Sequence, residues 1–122
     1  MIEYEEANEF KGDFKKLVKR FVSLPSDFWT VKRNVIELRH SLNINNFGTF
    51  EIPGFSSEEF SFWKIKKFAC RSLKGRGVKS GLRIIYRLDK HSDKVFFIEI
   101  YFKGDKATED RTRIVKYWNK TL

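Results

Sequence analysis

Two segments of the chain, GLRIIYRL (residues 81–88) and VFFIEIYFK (residues 95–103), carry apolar side chains at every second position. The polar stretch DKHSDK separates them. Because successive side chains of a strand point to opposite faces of a sheet, this alternation predicts two strands joined by a hairpin turn. The faces predicted to be buried are Leu82, Ile84, Tyr86 and Leu88 in the first strand, and Phe96, Ile98, Ile100 and Phe102 in the second.

The opposite face of this hairpin combines charged and aromatic side chains, which the pairing of the strands would hold within roughly 5 to 8 Å of one another. The preceding segment, WKIKKFACRSL (residues 63–73), predicts a further strand with four basic residues, in which two consecutive lysines indicate a bulge. Basic groups interleaved with aromatic rings are typical of RNA-binding faces, although a solvated face with Arg–Glu pairs is the alternative. The predicted face comprises Arg83, Ile85, Arg87, Phe97, Glu99, Tyr101 and Lys103, with Lys64, Lys66, Lys67 and Arg71 from the preceding strand.

Helical periodicity dominates the N-terminal part of the chain. Apolar residues at helical spacing predict a first helix along Phe10–Phe21 and a second along Phe28–Leu42. The pair Leu24-Pro25 is expected to end the first helix, and Ser26 or Asp27 to cap the second. A short turn between two amphipathic helices indicates an antiparallel helical hairpin.

The rest of the chain gives weaker signals. Met1–Tyr4 is a candidate strand, and residues 43–62 are predicted to form an irregular connection. Its aromatic residues are expected to pack on the fold, with binding of a partner as the alternative; they are Phe47, Phe50, Phe55, Phe60 and Phe62. The segment TEDRTRIVKYWNK predicts a C-terminal helix with Thr108 as its cap. The element order predicts an α+β fold, with the helical hairpin packed on a mainly antiparallel sheet and followed by a C-terminal helix. We expect one domain over residues 1–122.

Composition limits the classes of function. The formal net charge is +9, and ten Lys/Arg but one acid lie between Lys64 and Lys90, which favours a polyanionic partner. The single cysteine, Cys70, allows no intrachain disulfide and suggests a reducing compartment. The two histidines and this cysteine have no zinc-ligand spacing, and no nucleotide-binding glycine motif is present, so neither metal nor cofactor is expected. No signal-peptide pattern or membrane-length apolar segment is found, and we expect a cytoplasmic protein.

The segments KIKKFACRSL, SGLRIIY, IEIYFKGDK and EDRTRI, together with KKLVKRF in the first helix, resemble the RelE/ParE superfamily of toxins from type II toxin–antitoxin systems. The resemblance covers most of the chain apart from residues 43–62. It implies two helices against a curved antiparallel sheet with a C-terminal helix, as the sequence pattern also predicts. RelE-like members cleave mRNA in the ribosomal A site, whereas ParE-like members inhibit DNA gyrase. The third alternative is a basic RNA-binding module without toxicity.

Site roles follow from this resemblance. Arg83 corresponds to the arginine that contacts the scissile phosphate, Lys64 and Lys66 match lysines that bind the RNA backbone, and Lys67 competes with them because of the suspected bulge. A basic residue after the last strand, Lys103 or Lys106, is expected to assist the leaving group. For metal-independent attack of an RNA 2′-hydroxyl on its own phosphate, we assign Glu99 as the candidate base, with an ion pair to Arg83 as its structural alternative. Tyr101 is expected to donate a proton or stack on a base, and Arg87 or Arg71 to assist Arg83.

The same resemblance implies a cognate antitoxin as partner. The basic sheet predicts that an acidic antitoxin segment lies across it and displaces or covers the C-terminal helix. The expected substrate is mRNA on the ribosome.

Overall fold

A computed structural model describes residues 2–45 and 48–118. Its centre is a five-stranded sheet in the order β1-β5-β4-β3-β2. β1 pairs in parallel with β5 and all other neighbours are antiparallel, so the sheet is mixed. The strands are β1 (Glu3–Glu6), β2 (Thr49–Glu51), β3 (Phe60–Ile65), β4 (Leu82–Asp89) and β5 (Lys94–Phe102).

Helices cover one face of this sheet. α1 (Asn8–Val18) and α2 (Leu24–Val31) are joined by a short turn, and α2 continues through a π-helical turn (Lys32–Ile36) into α3 (Glu37–His40). The start of α2 corrects the predicted cap: Pro25 lies in the first turn, where a missing N–H is tolerated, and Ser26 and Asp27 lie inside the helix.

Aromatic side chains join the helices to the sheet. The ring of Phe97 lies 5.3 Å from that of Phe10 and 4.8 Å from that of Phe28, measured between centroids, and Tyr86 is fully buried beside it. Phe97 was predicted on the opposite face. The register of β4 and β5 shifts between Ile85 and Tyr86, which indicates a bulge. On the N-terminal side of this bulge in β5 the alternation is reversed, so Phe96, and not Phe97, lies on the face away from α1 and α2.

Two predicted elements have different bounds in the structure. Residues 43–62 are not wholly irregular, because they contain β2 and the start of β3. The strand predicted over residues 63–73 ends at Ile65, and a loop with an isolated bridge between Phe68 and Lys79 leads to β4. The two consecutive lysines therefore follow the strand and do not form a bulge within it.

The last helix, α4 (Arg111–Tyr117), lies on the face opposite the other helices. The ring centroid of Tyr117 in α4 lies 5.0 Å from that of Phe96. Arg113 of α4 forms an ion pair with Asp13 of α1, with 2.5 Å between Nη1 and Oδ2. The cap is Asp110, whose carboxylate accepts a hydrogen bond from the Thr112 backbone N–H, and not the predicted Thr108. No helix within the described residues is long and apolar enough to span a membrane.

Candidate nucleic-acid interface

The sheet face below α4, here called the outer face, is built from cross-strand rows. Arg83 on β4 stands opposite Tyr101 on β5, and the next row runs across four strands. That row consists of Phe50, Lys64, Ile85 and Glu99. The strand register therefore brings together four predicted site residues, Arg83, Tyr101, Lys64 and Glu99, on one surface.

Arg87 belongs to a third row of this face but is buried. Its side chain is 3% exposed, its Nε lies 2.7 Å from Asp89 Oδ1, and its Nη1 donates to the Tyr117 carbonyl at 2.7 Å. The guanidinium also lies 4.4 Å from the ring centre of Phe60. Arg87 is thus packed between the sheet and α4, and in this conformation it offers no surface to RNA.

Lys64, Tyr101 and Glu109 form the polar centre of the outer face. Lys64 Nζ lies 2.6 Å from Glu109 Oε1, which also accepts from the Tyr101 hydroxyl at 3.5 Å. Burial would raise the pKa of the Glu109 carboxyl, but hydrogen bonds from Lys64 and Thr108 outweigh it and lower the pKa to about 2. Burial raises the pKa of Tyr101, more than the nearby Lys64 lowers it, so the phenol keeps its proton at neutral pH.

Glu99 is buried beneath this centre, with 2% of its surface exposed. Its carboxylate accepts a hydrogen bond from the Asp110 backbone N–H at 2.8 Å and forms an ion pair with Lys106. The ion pair that the sequence suggested between Glu99 and Arg83 is replaced by this pair with Lys106. Glu99 therefore fixes the segment that leads into α4 and places Lys106 beside Tyr101, with Nζ 5.3 Å from the ring centre.

Three other predicted residues lie in or directly after the strands of the outer face. Arg83 is half-buried, and its Nη1 donates to the backbone carbonyls of Lys66, at 2.9 Å, and Leu82, at 3.2 Å. Lys66 is exposed, with Nζ 5.1 Å from the ring centre of Phe50. Lys103 is exposed and, among the described residues, its side chain forms no hydrogen bond or ion pair.

Lys67 and Arg71 are not part of the outer face. Both line a mainly apolar groove of about 440 Å³ next to α2, together with Val31, Val35 and Phe68. Arg71 binds Asp27 through its backbone N–H at 3.0 Å and its Nε at 3.1 Å. The two basic residues were grouped with Lys64 because the strand was expected to continue, and its end at Ile65 separates them.

Sequence reasoning missed two residues of this surface, Glu109 and Arg111, and it favoured a packing role for Phe50, which is 43% exposed. Glu109 neutralises Lys64, Phe50 extends the second row, and Arg111 lies with its guanidinium 5.1 Å from the ring centre of Phe55. Strand alternation could not identify Glu109 or Arg111, since both come from the segment that folds over the sheet. The charged motif EDRTR next to an apolar helix face was the available signal.

Comparison with known proteins places this geometry in a known fold. No protein-family model and no curated protein sequence matches the chain. The chain is similar in structure to a mutant of E. coli toxin RelE solved in the free state. The TM-score is 0.55 over 94% of this chain and 95% of that one, at 19% identity. The chain has a RelE-like fold.

Two further structures share the RelE-like fold. RelE in the archaeal RelE–RelB complex from Pyrococcus horikoshii gives a TM-score of 0.52 at 8% identity, covering 84% of this chain and 96% of that one. The conserved hypothetical protein HP0892 from Helicobacter pylori gives 0.52 at 17% identity, covering 86% and 98%. These matches confirm the predicted α+β architecture of helices on a sheet, and the candidate N-terminal strand is present as β1, which pairs in parallel with β5.

Proposed function

We propose that the protein is the toxin of a type II toxin–antitoxin system and that it cleaves mRNA on the ribosome. The observation that carries the proposal is the convergence of Arg83, Lys64, Lys106 and Tyr101 on the outer face of a RelE-like fold. Cations bind a phosphate and stabilise the charge that develops on it, and a neutral phenol is a proton donor. Such an activity would take place in the cytoplasm, where ribosomes are found.

The reaction is a transfer of the RNA 2′-oxygen onto the adjacent phosphorus, with breakage of the bond from phosphorus to the 5′-oxygen. Arg83 holds the phosphate after exchanging its hydrogen bond to the Lys66 carbonyl for one to a phosphate oxygen. Lys64 and Lys66 bind the RNA backbone, and the exposed Lys103 stays a proposed assistant to the leaving group. Burial raises the pKa of Tyr101, so its hydroxyl keeps its proton at neutral pH and is assigned as the donor to the leaving 5′-oxygen.

Proton acceptance is assigned to Glu99. In the free protein both of its oxygens are engaged, one by the Asp110 N–H and the other by Lys106. The Lys106 side chain is 41% exposed, so it can turn toward a bound phosphate. That movement would free one Glu99 oxygen for the 2′-hydroxyl proton, and it would couple substrate binding to activation of the base.

An antitoxin is the proposed protein partner. The archaeal RelE with the same fold was solved in complex with RelB. The net charge of +9 on this chain favours an acidic partner segment, because opposite charges steer association and stabilise the complex.

The experiment that tests this function uses purified protein and ribosomes carrying a defined mRNA, with new 5′ ends mapped by primer extension. We expect cuts in the A-site codon that Arg83→Ala lowers at least 100-fold. Arg33→Ala, an exposed arginine on the helical face, is the matched control and should cut like the wild type. Absence of cuts with ribosomes, from a protein that still arrests growth and blocks DNA supercoiling by gyrase, would contradict the proposal.

A further inference from the structure

A small pocket opens beside Lys64, between the β2–β3 hairpin and the start of α4. Its volume is about 190 Å³, which is below the range of sites for drug-sized ligands and suits a single ring system. The residues that matter for its chemistry are Phe50, Pro53, Lys64, Lys66, Glu109 and Arg111.

One side of the pocket is apolar and accessible. Phe50 is 43% exposed although it is a large aromatic residue, and it lies on β2, an edge strand of the sheet. Lys66 Nζ lies 5.1 Å from the centre of its ring. An exposed ring beside a cation is a stacking platform for an unpaired nucleobase whose phosphate is held by the same cation.

The other side offers an acceptor of hydrogen bonds. Glu109 receives its donors, Lys64, Thr108 and Tyr101, at Oε1 alone. Within the described part of the chain, no other side chain donates to its Oε2, and the Glu109 side chain lines the pocket with 9% of its surface exposed. The pKa of about 2 keeps this carboxylate ionised at neutral pH, so the free oxygen can accept from an amino group and cannot donate.

The position of the pocket links it to the proposed cleavage centre. Phe50 is the direct cross-strand partner of Lys64, and Lys64 contacts Glu109 beside Tyr101. Phe50 and Pro53 come from residues 43–62, the segment that the sequence resemblance does not cover. We propose that this segment adds a specificity pocket for a nucleobase bearing an exocyclic amino group, next to the phosphate at Lys64; this rests on the proposed function.

Titration with mononucleotides tests the pocket independently of cleavage. We expect AMP, CMP and GMP to shift the amide NMR signals of Phe50, Lys64 and Glu109, and UMP, which lacks the amino group, to bind at least threefold more weakly. Phe50→Ala should abolish these shifts, and Glu109→Gln should remove the discrimination against UMP. Trp29→Ala, which removes a ring on α2 that is 60% exposed, is the control and should bind like the wild type.

Equal binding of all four nucleotides, shifts confined to other surfaces, or unchanged binding by Phe50→Ala would overturn the pocket. The ribosome assay separates this result from the proposed function. If the protein binds nucleotides at the pocket but cuts no mRNA, the proposal of the pocket stands and the proposed nuclease activity is wrong. If the protein cuts mRNA, Phe50→Ala cuts the same codons, and nucleotides shift no amide NMR signals, the nuclease activity stands and the proposal of the pocket is wrong.

Discussion

At the scale of single residues, two arginines that looked equivalent in the sequence have different environments. Both Arg83 and Arg87 occupy outer positions of β4. Arg83 is half-buried and bonds only to backbone carbonyls, whereas Arg87 is held by Asp89, Phe60 and the end of α4. We therefore expect Arg83 to serve the substrate and Arg87 to serve the fold.

Substitution of each arginine separates the two roles. Arg87→Met should lower the free energy of unfolding by about 3 kcal/mol, because it leaves Asp89 without its buried partner. Arg83→Ala should lower it by less than about 1 kcal/mol, since its carbonyl acceptors can bind water instead. Urea denaturation followed by circular dichroism measures both values. Equal losses would contradict the division.

Glu99 allows a second residue-scale prediction. Glu99→Gln keeps an oxygen for the Asp110 N–H but cannot take up a proton near neutral pH. We expect single-turnover cleavage on ribosomes to fall by roughly 10²- to 10⁴-fold, while the circular dichroism spectrum stays that of the wild type. If cleavage stays within threefold of the wild type, Glu99 only anchors the segment before α4.

At the scale of elements, the sequence predicts the strand pair and the helices correctly because long alternating and helical periodicities specify buried faces. The faces beyond residue 97 in β5 are also right, since Glu99 and Tyr101 lie where alternation puts them. Phe97 fails because a bulge inserts one residue without changing composition. The cover provided by α4 was also not predictable, because it depends on contacts between residues about 100 positions apart, such as Arg113 with Asp13.

Acidic pH tests how α4 is held. Hydrogen bonds from Lys116 and Tyr117 lower the pKa of Glu9 to about 2, and for Glu109 the bond from Lys64 outweighs burial to the same value. Both pKa values lie below the ordinary 4.5 of the unfolded chain, so their contribution is full above pH 4.5 and is lost as the pH falls toward 2.

We expect the free energy of unfolding, measured by urea denaturation at a series of pH values, to fall over this range. In Glu109→Gln, the fall in the free energy of unfolding between pH 4.5 and pH 2 should be smaller by about 1 kcal/mol, allowing for partial solvent screening of the pair. Glu58→Gln is the control, because Glu58 is exposed and has no ion pair within the described residues. A curve that is unchanged by Glu109→Gln would show that the pair with Lys64 contributes nothing to stability.

The start of α4 gives a matched pair of variants. Asp110→Ala removes the side chain that caps the helix and should cost about 1 kcal/mol in the free energy of unfolding. Thr108→Ala, at the cap that the sequence suggested, should cost less than half as much, because its hydroxyl bonds only to Glu109. The reverse order of the two losses would contradict the assigned cap.

At the scale of the whole molecule, the two faces of the sheet divide the work. The helical face holds the aromatic core around Phe97, and the outer face carries the polar centre and the pocket at β2. α4 and the segment before it lie over the centre, where Glu109 and Glu99 already occupy Lys64 and Lys106. Binding of a phosphate at Lys64 or Lys106 would therefore exchange these internal ion pairs for contacts with the phosphate.

The chemical ends of the cut RNA distinguish attack by the 2′-hydroxyl from other routes of cleavage. Attack by the 2′-hydroxyl must leave a 2′,3′-cyclic phosphate on the upstream fragment and a free 5′-hydroxyl on the downstream one. Ribosomes should be loaded with an mRNA carrying a single 2′-deoxy nucleotide at the cut position, and the products compared with those of the all-ribose mRNA by mass spectrometry. We expect cyclic ends from the all-ribose mRNA and no cut at the deoxy position, whereas 5′-phosphate ends or cleavage at the deoxy position would contradict attack by the 2′-hydroxyl.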